Sequence, residues 1–264
     1  MKVGLIGAGN MAGAIVRGMV SGGFRGSDIL IFDIDTARQV ALFEECGVCI
    51  GASAAEVVES VDVVVLAVKP QVFPELLPAL AGVLQDNRPL VISIAAGKTL
   101  EEIEGFVSTG LPLVRVMPNI NAKVGEAMSA FCGNAVVTDD QKAMVRTIFE
   151  SVGEVMELPE KSFSAFSVLA GCSPAYALLY IDALAEAGVR YGIPKALSLR
   201  IAAQSVLGTA RLLQESEEHP RALIDQVCSP GGTTIEGVVA LQDNGFEAAV
   251  LAAAAASFEK DQKL

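Results

Sequence analysis

One histidine, His219, is all that these 264 residues contain. That scarcity excludes a multi-histidine metal site and argues against a His-based catalytic triad. Cysteine is also sparse. Cys46, Cys49, Cys132, Cys172 and Cys228 are scattered and odd in number, with neither zinc-ligand pairs nor a disulfide framework, which suits a reducing compartment. Cys46 and Cys49 form a C-x-x-C, but Cys49 falls in a predicted strand, and the pair reads as buried thiols. Basic residues are few, 19 Lys and Arg against 31 Asp and Glu, for a formal net charge of −12. No phosphate-neutralising patch emerges, so a nucleic-acid partner is not expected. Long apolar runs are missing too. Ala248 to Ala256 is far too short to span a bilayer, and glycines and Arg17 break up the apolar N-terminus, which does not read as a signal peptide. No repeat and no low-complexity linker is seen. With 52% hydrophobic and 19% charged residues, the expectation is a globular, cytoplasmic protein without metal or membrane partner, of one large or two smaller domains.

What is present begins with Lys2 to Ala14, KVGLIGAGNMAGA. Val3, Leu5 and Ile6 predict a short strand, Gly7-Ala8-Gly9-Asn10-Met11-Ala12 a turn, and the Ala/Ile/Val-rich stretch to about Val20 a helix. The glycines fit G-x-G-x-x-A. Gly7 permits the turn, Gly9 lets the backbone approach a pyrophosphate, and small Ala12 allows close helix–strand packing. Phosphates would meet free N–H groups at the positive end of the helix dipole. A second strand, Asp28 to Asp33, ends in an acid about two dozen residues on, near where a ribose-binding carboxylate belongs. Asp33 there would accept from the ribose hydroxyls of NAD and repel the 2′-phosphate of NADP; equally, it would serve as a solvated acid capping the helix that starts at Asp35. Arg38 is placed to meet a 2′-phosphate.

Gly47 to Ile50 predicts a third strand and Ser53 to Ser60 a helix. Val61–Val68, Leu90–Ala95 and Leu111–Met117 are near-continuous apolar runs, the pattern of strands buried on both faces. They end in Lys69-Pro70, Ala96-Gly97 and Pro118-Asn119, one edge of a crevice where open α/β sheets bind ligands. The backbone at Val68, Lys69 and Pro70 and at Ala96 is assigned to the cofactor, the Lys69 side chain being left open. Two further strands, Ala127–Phe131 and Glu154–Leu158, flank a helix from Thr138 to Ser151. The predicted fold class is α/β: an N-terminal, doubly wound, mostly parallel Rossmann-type sheet over residues 1–159, then an all-α dimerisation and substrate-binding domain over 160–264.

In that second half Ser173-Pro174 reads as an N-cap with Pro at the first helical position. From there to Tyr191 only Asp182, Glu186 and Arg190 are strongly polar, forming one stripe with Glu186 and Arg190 ordered for a pair. A helix otherwise apolar all round must be buried. About a hundred residues cannot readily wrap it, so an obligate homodimer through the C-terminal helices is expected. Helices are also predicted over Pro194–Gln214, Arg221–Val227, Ile235–Gln242 and Phe246–Lys260. The loop Ser229-Pro-Gly-Gly-Thr-Thr234 opens one of them, with two glycines presenting N–H groups and two threonines adding hydroxyls, enough for a carboxylate. Taken alone, the loop reads better as an elaborate N-cap, a threonine with Glu236 nearby.

The whole chain resembles the pyrroline-5-carboxylate reductase family. The resemblance is carried by IGAGNMA at 6–12, AVKPQ at 67–71, AAG at 95–97, RVMPN at 115–119, AGCSPAY at 170–176, Leu223 to Val227, and SPGGTT at 229–234. It implies reduction of the cyclic imine L-1-pyrroline-5-carboxylate to L-proline by NADPH or NADH, the last step of proline biosynthesis, by a homodimer that in some members assembles into decamers. It implies that Thr234 hydrogen-bonds the imine nitrogen and that Gly231, Gly232 and Thr233, with Ser229, hold the carboxylate. It places Glu160 and Gln226 near the substrate, and Glu217 in support of that loop. Many members use NADPH, whereas Asp33 leans toward NADH; many have glycine-serine-glycine where Gly171-Cys172-Ser173 stands here. Two rival readings are weaker. A β-hydroxyacid dehydrogenase needs a lysine that Pro174 to Val189 lacks, and a non-catalytic dinucleotide-sensing regulator needs a partner-binding module that the sequence does not show.

Overall fold

Residues 1–107 and 110–263 are described by the computed structural model, and they fall into two units, Met1–Gly171 and Cys172–Lys263. The first is built on eight strands: β1 (Val3–Ile6), β2 (Ile29–Phe32), β3 (Cys49–Ile50), β4 (Val63–Leu66), β5 (Leu90–Ser93), β6 (Leu113–Met117), β7 (Ala127–Gly133) and β8 (Gly153–Glu157). They form one sheet in the order β3-β2-β1-β4-β5-β6-β7-β8. All pairings are parallel except β6 with β7. Helices connect the strands: α1 (Asn10–Ser21), α2 (Thr36–Cys46), α3 (Ala54–Ser60), α4 (Phe73–Asn87), α5 (Leu100–Glu104) and α6 (Asp139–Phe149), with a short α7 (Phe163–Phe166) after β8.

The apolar runs explain the layering. On β4, Val63 and Val65 join the core that contains Ile15 and Met19 of α1, Leu42 of α2 and Ile148 of α6. Val64 and Leu66 point the other way, into the core with Val57 of α3, Leu77 of α4 and Ile103 of α5. Both faces are covered, as a doubly wound sheet requires. The chain winds outward from β1 to β3, then crosses back to set β4 on the other side of β1. That is the topological switch point, and the turns after β1 and β4 meet there.

One reading of the cysteines is corrected. Because β3 is a two-residue edge strand, Cys49 is exposed and Cys46 only half-buried. Cys132 is the buried one; burial first, then the charge of Glu160, pushes its thiol up to about 12, so it stays neutral and unreactive.

The second unit contains α8 (Ser173–Arg190), α9 (Lys195–Glu215), α10 (Pro220–Val227), α11 (Thr233–Asp243) and α12 (Phe246–Asp261). Gly188 lets α8 and α9 approach closely, since a Cβ there would lie 2.4 Å from Ser198 Oγ. The Tyr176 hydroxyl pairs with Ser257 Oγ, and the Tyr180 and Phe246 rings are 6.1 Å apart, tying α8 to α12. The expected start of α8 needs correction. Ser173 is not a cap: helical structure runs unbroken from Glu160 to Arg190, through a π-helical turn at Ser167–Cys172. Nor do Glu186 and Arg190 pair; Asp182 instead accepts from Lys195 Nζ at 2.6 Å.

Within that 31-residue helix an 18-residue window reaches a mean hydropathy of 1.5, so by length and composition alone it could cross a membrane. Within α8 only Ala185 is buried. Leu178 (66% exposed), Leu179 (73%), Leu207 (60%) and Leu251 (71%) show how much apolar surface the unit leaves open. Exposed patches of this kind mark association surfaces.

Candidate active site

Gly7 and Gly9 do different work. Gly7 has φ +106°, and a Cβ on it would sit 2.7 Å from the Ala67 carbonyl oxygen, so only glycine lets the turn after β1 pass so close to the end of β4. Gly9 has an ordinary backbone, and a Cβ there would meet only Arg38 Nη1, at 3.9 Å. Its openness suits an incoming phosphate. Gly9 is also the N-cap of α1 and offers no side-chain cap, so the first-turn N–H groups at Asn10 and Met11 remain for a ligand. The turn therefore fits the pyrophosphate of a dinucleotide. Two of its amides do not point to a ligand: Gly7 N–H donates to Phe32 O at 2.7 Å, and Ala8 N–H to Asp33 Oδ2 at 2.6 Å.

Asp33 is consequently more than a surface acid. Oδ2 braces the glycine turn while Oδ1 accepts from Asp35 N–H at 2.9 Å, and Asp35, not Asp33, caps α2. Gln39, which sequence reasoning missed, is buried in α2 and donates to Asp33 O at 2.6 Å. Its side-chain carbonyl is buried without a partner. Arg38 pairs with Asp35 at 3.1 Å. The segment after β2 thus carries two acids against one base.

The other positions expected to meet a cofactor lie at the carboxyl edge of the sheet. Val68 and Pro70 are half-buried after β4, and Lys69 is exposed, capping the turn Pro70–Val72. Ala96 is exposed in the loop after β5, followed by Gly97 with φ +72°. A cleft of about 620 Å³ beside α1 shares only Asn10 with these residues.

Glu160 lies in the first unit. Its Oε1 accepts from Leu100 N–H at 2.8 Å and from Arg115 Nη1 at 3.1 Å, and the Arg115 guanidinium stacks 4.6 Å over Phe163. Glu160 thereby clamps the loop after β5 to the root of the long helix.

In the second unit, Ser229–Thr234 is an exposed loop whose two readings can be separated. Were it a Thr-x-x-Glu cap, Thr233 would lie outside the helix and bond Glu236, as Thr99 does with Glu102. Instead Gly232 is the N-cap without a side-chain bond, and Thr233 is already helical. The amides opening α11 thus carry no cap. Gly231 has φ +66°, and Gly232 packs so tightly on Ser229 that a Cβ would fall 2.3 Å from its Oγ. Gln226 donates to Glu218, the acid next to Glu217, which is itself exposed. Glu218 had no local signal to separate it from its neighbour. Among the described residues no group of three or more His, Cys, Asp or Glu is arranged to hold a metal.

Comparison with known proteins sets these features in context. A family model described as pyrroline-5-carboxylate reductase dimerisation matches residues 160–264, and one described as NADP oxidoreductase, coenzyme F420-dependent, matches residues 2–97. A pyrroline-5-carboxylate reductase of Synechocystis is 41% identical over 266 residues, covering 100% of this chain and 98% of its own. The solved 1-pyrroline-5-carboxylate reductase of Streptococcus pyogenes superposes with a TM-score of 0.87 at 39% identity, over 100% of this chain and 99% of that one. That of Plasmodium falciparum, with NADP bound, gives 0.88 at 29% identity, over 100% and 97%.

Proposed function

The chain belongs to the pyrroline-5-carboxylate reductase family, and from that membership we propose that it reduces L-1-pyrroline-5-carboxylate to L-proline, the last step of proline biosynthesis. The observation that carries this reading is the pair of uncapped helix starts, at Gly9 and Gly232, each presenting amides to an anion. Gly9, Asn10 and Met11 take the pyrophosphate of a nicotinamide dinucleotide, with the amides of Gly7 and Ala8 held back by Phe32 and Asp33 and Gly7 serving the turn alone; the backbone at Val68–Pro70 and Ala96 takes the nicotinamide half. When bound, the reduced dinucleotide supplies the hydride.

The chain's own task is then orientation and charge matching. The N–H groups of Gly231 and Thr233, with Ser229, hold the substrate carboxylate, the Gly232 N–H expected to join them being taken instead by Ser229 O at 2.9 Å. The Thr234 hydroxyl hydrogen-bonds the imine nitrogen, accepting from its N–H once that nitrogen is protonated. A cyclic imine is basic enough to be protonated readily, so no strong general acid is required. Glu160 and Gln226 lie near the substrate, with Glu217 supporting the loop. Residues 1–159 serve as the dinucleotide domain and 160–264 as the helical domain, through which two copies associate in the cytoplasm. The exposed leucines of α8 support that association rather than a membrane.

An assay following NADH and NADPH loss with pyrroline-5-carboxylate tests the whole reading; no imine-dependent oxidation with either cofactor would overturn it. Thr234→Ala is expected to cut kcat/KM about 10- to 100-fold, the scale of one lost transition-state hydrogen bond. Unchanged turnover would remove Thr234 from the mechanism.

For the cofactor we propose a preference for NADH, because Asp33 and Asp35 outweigh Arg38 where a 2′-phosphate would lie. Asp33→Ser should raise the ratio of kcat/KM with NADPH to that with NADH by about tenfold or more, as expected from removing one charge near a dianion. Loss of the brace to Ala8 weakens both cofactors alike and cancels in the ratio. A constant ratio would leave Asp33 with the brace alone.

A further inference from the structure

Pro174 has no N–H, so it cannot give the carbonyl of Ala170 its usual helical hydrogen bond. That carbonyl is part of the π-helical turn Ser167–Cys172, in a residue that is buried. A buried carbonyl without a donor is costly. The donor comes from 51 residues away: Asn119 Nδ2 reaches Ala170 O at 2.9 Å. Asn119 is itself buried, and its Oδ1 accepts from Asn121 N–H and Met128 N–H, both at 3.3 Å. One carboxamide thus joins the carboxyl end of β6, the start of β7 and the last turn before the second unit.

We propose that Asn119 is a positioning residue of the reductase, pinning the π-turn to the sheet by supplying the hydrogen bond that Pro174 withholds. Single π-turns inside longer helices are a recurrent feature of functional sites. The unbroken helix that contains this one begins at Glu160, proposed above to lie near the substrate. The residues proposed to hold the dinucleotide sit instead on the turns after β1, β4 and β5. Releasing the latch therefore impairs turnover and leaves dinucleotide binding intact. The inference rests on the proposed reductase activity.

The test is a cycle of Asn119→Ala, Pro174→Ala and the double variant in the full-length protein. Asn119→Ala is expected to lower kcat about 10- to 100-fold, the scale of an ångström's misplacement, with the calorimetric Kd for the dinucleotide changed less than about twofold. Pro174→Ala restores an N–H at position 174, so the double variant should recover most of the lost kcat and of the lost thermal midpoint. Should Asn119→Ala fail to fold, a folded and active double variant supports the latch, and an unfolded one overturns it. Wild-type kcat in Asn119→Ala overturns it, as does a loss that Pro174→Ala does not relieve. A wild-type protein inactive on the imine would sink the reductase reading instead, and coupling of the two positions in thermal midpoint then decides the latch on its own: coupling supports it, additivity overturns it.

Discussion

Gly7→Ala is expected to weaken dinucleotide binding by two orders of magnitude or so. A side chain in left-handed backbone costs about 1–2 kcal/mol, and this one adds a collision. Its Cβ would lie 2.7 Å from Ala67 O and 2.8 Å from Ala67 C, atoms of backbone that cannot rotate away. The turn and the end of β4 must part, and with them Ala8, which Asp33 holds, and Val68, which follows Ala67. Strain and overpacking together come to about 2–4 kcal/mol, or about 30- to 1,000-fold in affinity. Titration calorimetry with NADH reads the loss, and a lowered thermal midpoint accompanies it. Affinity within a few fold of wild type would mean that the turn has slack the geometry does not show.

The second large effect concerns assembly. Leu179→Glu should convert the associated protein into folded monomers of 27.4 kDa, seen by light scattering behind a sizing column. Leu179 is 73% exposed, on a helix with a single buried residue, Ala185. The family match to a dimerisation region covers that helix. In a symmetric interface one substitution places two carboxylates in apolar surroundings, and each costs several kcal/mol unless it finds a partner. A thousandfold or greater weakening of association is the result, about 4 kcal/mol. An unchanged mass at micromolar concentration would show that the α8 face is not what joins the subunits.

Much of this protein could be read locally, and the exceptions share a cause. Val63 to Leu66 announces a strand buried on two faces because every side chain in the run is apolar, whichever face it meets. The glycine turn is legible for a similar reason: Gly7 is needed by its own backbone, which turns at φ +106°, although its collision partner Ala67 lies far along the chain. Ser173 misled because Ser-Pro is a sound local signal for a helix start, whereas the helix there is continuous. Glu186 and Arg190 have favourable spacing, yet Asp182 found Lys195 on the next helix.

By itself, then, the sequence determined the eight strands, the two amide-presenting glycine loops and the need of an apolar helix for a partner. These arise from backbone freedom and hydrophobic periodicity within a dozen residues. Only the tertiary structure decided that Asp33 braces Ala8, that Glu160 grips Leu100 and Arg115, and that Asn119 answers for Pro174. Each of these joins polar groups 25 to 60 residues apart, and a polar group buried by folding must take whichever partner the packed chain brings within reach.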